Sequence, residues 1–313
     1  LDRDGQPRTG HPFLYGFVTG LFANGGGFYW IVGLLMRFGH LPFLAALPLF
    51  LLLIAYQAIT FGLFATILCR LRKHLDVPVT WLAPLIWVAC ELCVPYVFPW
   101  YLAITQAWVP TVIQIADITG PLGVSFVLVL SNAALWQLSI LFTNERILPR
   151  RGLLLGPDLR PPTLAVVTII CVLGYGLMRI YQVDRARAAA PKIRVGVVQA
   201  NIGINEKFVP GLRERQHAVH LDQSQTLATR GADLIVWPES SYPYPLPRPM
   251  QQDFGDRDPR KLQRGFTTPL LFGALTMERR DGHWAPYNTA LLLDKNGQVQ
   301  GSFDKNFLLI FGE

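Results

Sequence analysis

Two short stretches in the last third of this 313-residue sequence put charged side chains where chemistry can be done. Glu239 stands two residues past an apolar run, in Leu234-Ile-Val-Trp-Pro-Glu-Ser240. A carboxylate at the end of a strand, on the way into a loop, is placed to face a cleft. Lys305 follows in Gly301-Ser-Phe-Asp-Lys-Asn306, ahead of the apolar Phe307-Leu-Leu-Ile-Phe311 and then Gly312-Glu313. Taken singly, Glu239 reads as a solvated loop acid and Lys305 as a surface lysine. Whether they form a pair of proton acceptor and cation depends on the elements that carry them.

Those elements are legible from residue 191 onward. Ile193, Val195, Val197 and Val198 alternate as a buried strand, and 208–230 is a polar, helix-like stretch ending at Gly231. On this helix His217 and His220 are expected to be exposed. A second strand is expected in Asp233–Trp237 and a third in Leu270–Leu275, while Tyr287–Leu293 and Gln298–Phe303 flank Asp294-Lys-Asn-Gly297, a hairpin signal. The pattern predicts an α/β domain with a mixed sheet. The proline-dense Tyr242-Pro-Tyr-Pro-Leu-Pro-Arg-Pro249 reads as an extended loop, because proline neither donates to a ladder nor continues a helix. Its Tyr242, Tyr244 and Leu246 serve either as a lid over the site or as a plain connection.

The first half is of another kind. The whole chain is 51% apolar and only 16% charged, too apolar for an ordinary soluble enzyme. Residues 1–190 hold 21 charged side chains and the shorter remainder holds 28, which sets a boundary near Pro191 between domains 1–190 and 191–313. Residues 12–36, 41–69, 118–144 and 161–178 contain no charge and 77–116 contains only Glu91; a span needs about 20 apolar residues. About five spans are expected. Nine Lys and Arg, running from Arg3 and Arg8 through Arg70, Arg72 and Lys73 to Arg160, fall on one side, against Arg37 on the other. That asymmetry places the first side in the cytoplasm and the 191–313 domain outside it, with Arg179, Arg185 and Arg187 as mild exceptions. The net charge of +7 thus belongs mostly to membrane topology and not to nucleic-acid binding. Glu91, alone in an apolar stretch, is costly in lipid and calls for a partner, by interhelical pairing or by contact with a headgroup. Cys69, Cys90, Cys93 and Cys171 lie in or beside apolar segments, with no paired metal spacing among the scattered histidines. Neither metal nor cofactor is expected.

In combination, the strand-Trp-Pro-Glu-Ser element, Tyr287-Asn288 and the Asp-Lys-Asn…Phe-Gly-Glu element resemble the nitrilase superfamily in order and spacing. Most of its members are soluble amidases. A helical bundle ahead of the catalytic domain, with Gly16-Phe-Val-Thr-Gly20, Glu91 and Phe98-Pro-Trp100, is similar to the apolipoprotein N-acyltransferase family. Phe208 departs from the pattern, since the family often has tryptophan in this loop.

The resemblance implies a multi-span α-helical membrane bundle followed by an α/β nitrilase-like domain, an αββα sandwich that the chain carries in truncated form. It implies a Glu base, a Lys that stabilises the oxyanion and a Cys nucleophile; Glu239 matches the base, Lys305 the cation and Glu313 a second glutamate near the catalytic set. The family's cysteine lies downstream of Phe-Gly-Glu, and no cysteine follows Cys171 here. A thiol in an apolar span is disfavoured as thiolate and does not substitute. The implied reaction moves an acyl chain from a phospholipid donor to the N-terminal diacylglyceryl-cysteine of a lipoprotein, at the lipid bilayer of the bacterial inner membrane, with the catalytic domain on the periplasmic side. Starting on Leu1 and stopping after an apolar run, the sequence reads as a fragment inactive by itself. A membrane-tethered amidase and a non-catalytic membrane protein that binds lipid or lipoprotein are the alternatives.

Overall fold

The computed structural model describes residues 10–97, 100–143, 160–207, 209–280 and 282–308. The chain divides into two compact units, Leu1–Ala189 and Ala190–Glu313.

The first unit is helical: α1 (Pro12–Phe28), α2 (Trp30–Arg37), α3 (Phe43–Leu71), α4 (Val79–Cys93), the short α5 (Pro110–Ile113), α6 (Ala116–Thr143) and α7 (Arg160–Ala189). Among the described residues, α3, α7 and the Ala116–Ile140 part of α6 are long and apolar enough to cross a membrane. The pair α1 and α2, bent by 54° at its junction, makes a fourth if taken as one span. Within the apolar stretch at 77–116 the described residues form no helix of full spanning length. Its helix α4 has 15 residues, which at ~1.5 Å each reach only about 23 Å, short of the ~30 Å of a hydrocarbon core.

Small residues set the packing of α1 on α3. A Cβ on Gly16 would lie 2.3 Å from the Phe61 carbonyl oxygen, and one on Gly20 would lie 2.8 Å from Ala58 Cα, so the four-residue spacing lets two backbones touch. Glu91, 3% exposed, is held within the protein: its Oε1 accepts from Trp87 Nε1 at 2.9 Å and from the Leu102 backbone N–H at 2.7 Å. It thereby ties the chain beyond α4 back onto that helix. Arg179, one of the three exceptions to the charge asymmetry, donates to Asp117 Oδ2 at 2.8 Å while Tyr175 donates to Oδ1 at 2.7 Å, a link between α6 and α7. Of the cysteines only Cys90 is buried; Cys69 is intermediate, and Cys93 and Cys171 lie on the outside of the helices.

The described residues of the second unit form one six-stranded sheet: β1 (Val195–Val197), β2 (Leu234–Val236), β3 (Leu246–Pro247), β4 (Leu270–Arg280), β5 (His283–Leu293) and β6 (Val299–Asp304), in the order β1-β2-β4-β5-β6. The β1–β2 and β2–β4 pairs are parallel, and β3 is parallel to β4 further along the same edge; β4–β5 and β5–β6 are antiparallel. Helix α8 (Ile204–Lys207) and helix α9 (Arg213–Thr229) lie between β1 and β2 in the chain. The core joins Val198, Ile235, Trp237, Leu270, Phe272 and Leu291 to Leu221 of α9. The β5–β6 turn closes as the hairpin signal requires, Asp294 N donating to Gln298 O at 2.9 Å.

Four expectations need correction. Ile193, Val195 and Val197 are exposed, at 64%, 47% and 67%, because α9 packs on the other face of β1, the one that carries Gly196 and Val198. His217 and His220 are buried, at 3% and 1% exposure, because the side of α9 that carries them rests on Trp237, with ring centroids 6.2 and 4.9 Å away. Burial holds His217 down at about 4, with His220 and Arg264 adding to the effect, so its ring is neutral at pH 7. Next, the proline-dense segment is no free loop: Leu246 and Pro247 pair with Thr276 and Met277 on an edge, where a missing N–H is tolerated, and Tyr242 and Leu246 are core residues rather than a lid. Finally, β5 begins at His283, not Tyr287. Pro286 ends the pattern in the sequence, yet it lies where β5 extends past its ladder with β6.

Candidate active site

Strand β2 delivers Glu239. After Val236, Trp237 N still donates to Leu271 O at 2.9 Å and Tyr242 N donates to Gly273 O at 3.0 Å, so Pro238–Ser241 must arch across β4. Gly273 makes the arch possible. A Cβ there would stand 2.5 Å from Ser240 N and 2.9 Å from both Glu239 Cα and Pro238 O. Ser240 takes a positive φ of 47° at the crest, a conformation that costs a non-glycine residue energy and needs its surroundings to hold it.

Strands β5 and β6 deliver the other side. Lys305 N donates to Asn288 O at 2.9 Å, one step beyond the last paired residue of β6. The preceding residue is locked: Asp304 takes a two-pronged bond from Arg248, 2.8 Å at each oxygen, and a third from Thr289 Oγ1 at 2.8 Å. Arg248 holds the Asp304 carboxyl below its usual range, with the Thr289 bond acting the same way.

The two sides meet at Glu239 Oε1, which accepts from Asn288 Nδ2 at 2.7 Å and from Lys305 Nζ at 3.1 Å. Asn288 also accepts from Ser240 Oγ at 3.3 Å, and Lys207 Nζ donates to the Glu239 carbonyl at 3.0 Å. The Lys305 bond, then the Asn288 bond, hold the Glu239 carboxyl below its ordinary value against a smaller opposing effect of burial. Burial lowers Lys207, and Glu239 acts in the opposite sense. Glu239 stays ionised at neutral pH, ready to accept a proton, with an ammonium in contact. It borders a cleft of about 280 Å³ whose wall includes Gln199, Asn201, Lys207, Arg213, His220 and Tyr244.

The structure therefore brings Glu239 and Lys305 together, whereas Glu313 and Phe208 lie outside the described residues. Sequence reasoning missed Asn288 as a side-chain partner, Lys207 and Gly273. Tyr287-Asn288 enters the sequence pattern only by its place in the motif order; Lys207 stands in a polar stretch with no pattern to mark it.

Residues 3–134 match the Apolipoprotein N-acyltransferase N-terminal domain. Curated relatives align along nearly all of the chain. A protein called apolipoprotein N-acyltransferase from Geobacter metallireducens is 31% identical over 310 residues, covering 96% of this chain and 56% of the relative. One of the same description from Shewanella oneidensis is 26% identical, covering 97% and 55%. Apolipoprotein N-acyltransferase 2 from Leptospira interrogans is 24% identical, covering 96% and 53%. The chain thus spans about half the length of these relatives. With a domain match at one end and relatives of one description aligned through both units, the chain is similar along nearly its whole length to the apolipoprotein N-acyltransferase family.

Proposed function

We propose that this chain carries the membrane bundle and the Glu–Lys half of the site of an enzyme that N-acylates lipoproteins, taking the acyl group from a phospholipid and passing it to the α-amino group of an N-terminal diacylglyceryl-cysteine. The observation that carries the reading is the contact of Glu239 with Lys305 at 3.1 Å in a chain similar to this family. Glu239 is the general base, Lys305 stabilises the oxyanion and Glu313 positions the lysine or the amine. Residues 190–313 contain no cysteine, so the nucleophilic thiol comes from outside this sequence, as does the rest of the αββα sandwich.

The chemistry runs in two balanced halves. Glu239 takes the thiol proton, sulfur adds to the ester carbonyl, and the oxyanion forms against Lys305. Collapse breaks the ester bond, and the lysophospholipid oxygen leaves with the proton from Glu239. The lipoprotein amine then attacks the thioester, gives its proton to Glu239, and the thiolate departs with it. When Lys305 turns toward the oxyanion it withdraws from Glu239, whose basicity rises as the proton must be taken. The ammonium thus serves the resting and the reacting state in turn.

With the 77–116 segment counted as a fifth crossing, the charge asymmetry of the connecting segments makes the protein a multi-pass component of the bacterial inner membrane with the second unit on the periplasmic side. The test is to express the full-length gene product in membranes with phosphatidylethanolamine carrying a labelled acyl chain. Mass spectrometry should find a hydroxylamine-labile acyl adduct on a cysteine, lost in Glu239→Gln and Lys305→Ala variants that still insert. Full insertion and an intact cysteine without label would overturn the acyl-transfer reading.

A further inference from the structure

The proposed reaction leaves one wall of the cleft without a task. Lys207 and Arg213 both border the cleft beside Glu239. Lys207 ends α8 and Arg213 opens the 17-residue α9, so a guanidinium, an ammonium and the positive end of a helix come from consecutive elements. Gln216 of α9 donates to the carbonyl of Glu206 in α8 at 2.6 Å, which fastens the two helices and fixes the spacing of the cations. Glu239 offsets part of the burial effect on Lys207. Glu239 is engaged with Lys305 and Asn288, and Glu214, in the first turn of α9, acts on Tyr244, where Arg213 opposes it.

We propose that Lys207 and Arg213 bind the phosphodiester of the phospholipid donor, seating its headgroup in the cleft while the adjoining ester carbonyl lies at Glu239 and Lys305. The identity of the anion rests on the acyl-transfer reading above. An arginine fork matches two phosphate oxygens and a lysine supplies a point charge. The volume, about 280 Å³, is just below the ~300–1,000 Å³ of sites that enclose a drug-sized ligand, which suits a headgroup and not a pair of acyl chains. Lys207 Nζ is 3.0 Å from the Glu239 carbonyl, and in a glycerophospholipid only the glycerol carbons separate phosphate from ester. The anion and the reacting carbonyl therefore fit side by side. Half-buried Lys207 is also destabilised as a cation by its burial, and a phosphate beside it offsets that cost.

Binding to the purified full-length protein in detergent, measured by calorimetry, tests this with dihexanoyl phosphatidylethanolamine against dihexanoylglycerol, which lacks the phosphate. Arg213→Gln should weaken the first about tenfold, the scale of one charge-assisted bond, and leave the second unchanged. Lys207→Gln, which retains an N–H donor for the Glu239 carbonyl, should do the same. Equal losses for both lipids, or no loss for either, would overturn the proposal. So would inorganic phosphate competing as strongly as the lipid, since the site would then take the free ion. A persistent difference between the two lipids in a protein that never acquires the acyl label would sink the acyl-transfer reading and leave the phosphate contact standing.

Discussion

Glu239 and Lys305 are 66 residues apart in the chain and meet at 3.1 Å, with Asn288 bonded to the carboxylate of one and the backbone of the other. One oxygen, Glu239 Oε1, carries both side-chain bonds, so the state of this pair is read from a single carboxyl group.

The first prediction follows from its charge. Because the folded-state value of Glu239 is depressed, its contribution to stability is present above the ordinary glutamate range and is lost as pH falls through the depressed value. The side chain is 63% exposed, so solvent screening keeps the effect within about 1 kcal/mol. Thermal melts from pH 7 to 3 should show the wild type losing its advantage over Glu239→Gln in acid; a constant difference would count against the ion pair.

Asn288 should matter to rate more than to folding. In the proposed reaction Asn288→Ala removes a donor to an ionised group, an interaction worth about 1.5–3 kcal/mol, so the rate of acyl-adduct formation should drop by roughly ten- to a hundredfold with little change in donor KM. Asn288→Asp should be worse, because it sets a second carboxylate against Glu239. Single-turnover labelling decides the matter.

Gly273→Ala tests the arch. The added Cβ would meet backbone at 2.5–2.9 Å, atoms that cannot swing aside as a flexible side chain does. A loss of about 1–3 kcal/mol is expected, together with displacement of Glu239 and loss of the adduct. A variant as stable and as active as the wild type would show that Pro238–Ser241 does not depend on this contact.

Glu91 offers a test in the first unit. Glu91→Leu leaves the Trp87 and Leu102 N–H donors without an acceptor, a cost of about 1–3 kcal/mol each, whereas Glu91→Gln keeps an acceptor oxygen. Melting temperatures in detergent should fall in the order wild type, Gln, Leu. Equal melting for Gln and Leu would mean that the hydrogen bonds contribute nothing.

Much of this protein is written locally. Uncharged runs of about membrane-spanning length set the helical half, and short apolar runs with an Asp-Lys-Asn-Gly turn set the strands around 195, 235, 272, 290 and 301. Glu239 and Lys305 were visible because each closes a strand, and strand ends are a property of neighbours in sequence. Local patterns do not report what packs against what. His217 and His220 sit in a polar helix whose composition says nothing of the sheet beneath it. The two-residue β3 has no periodicity to detect, and α4 is apolar enough for a span but too short. Asn288, Lys207 and Gly273 acquire their roles only when β2, β4 and β5 lie side by side, since their contacts join residues 32 to 49 positions apart. The sequence by itself determined most of the segments that become helices and strands and, in Glu239 and Lys305, two residues that close strands. Only the tertiary structure decided which of those ends converge on one carboxylate, because a contact of 3 Å between distant segments depends on register and close approach that no single segment contains.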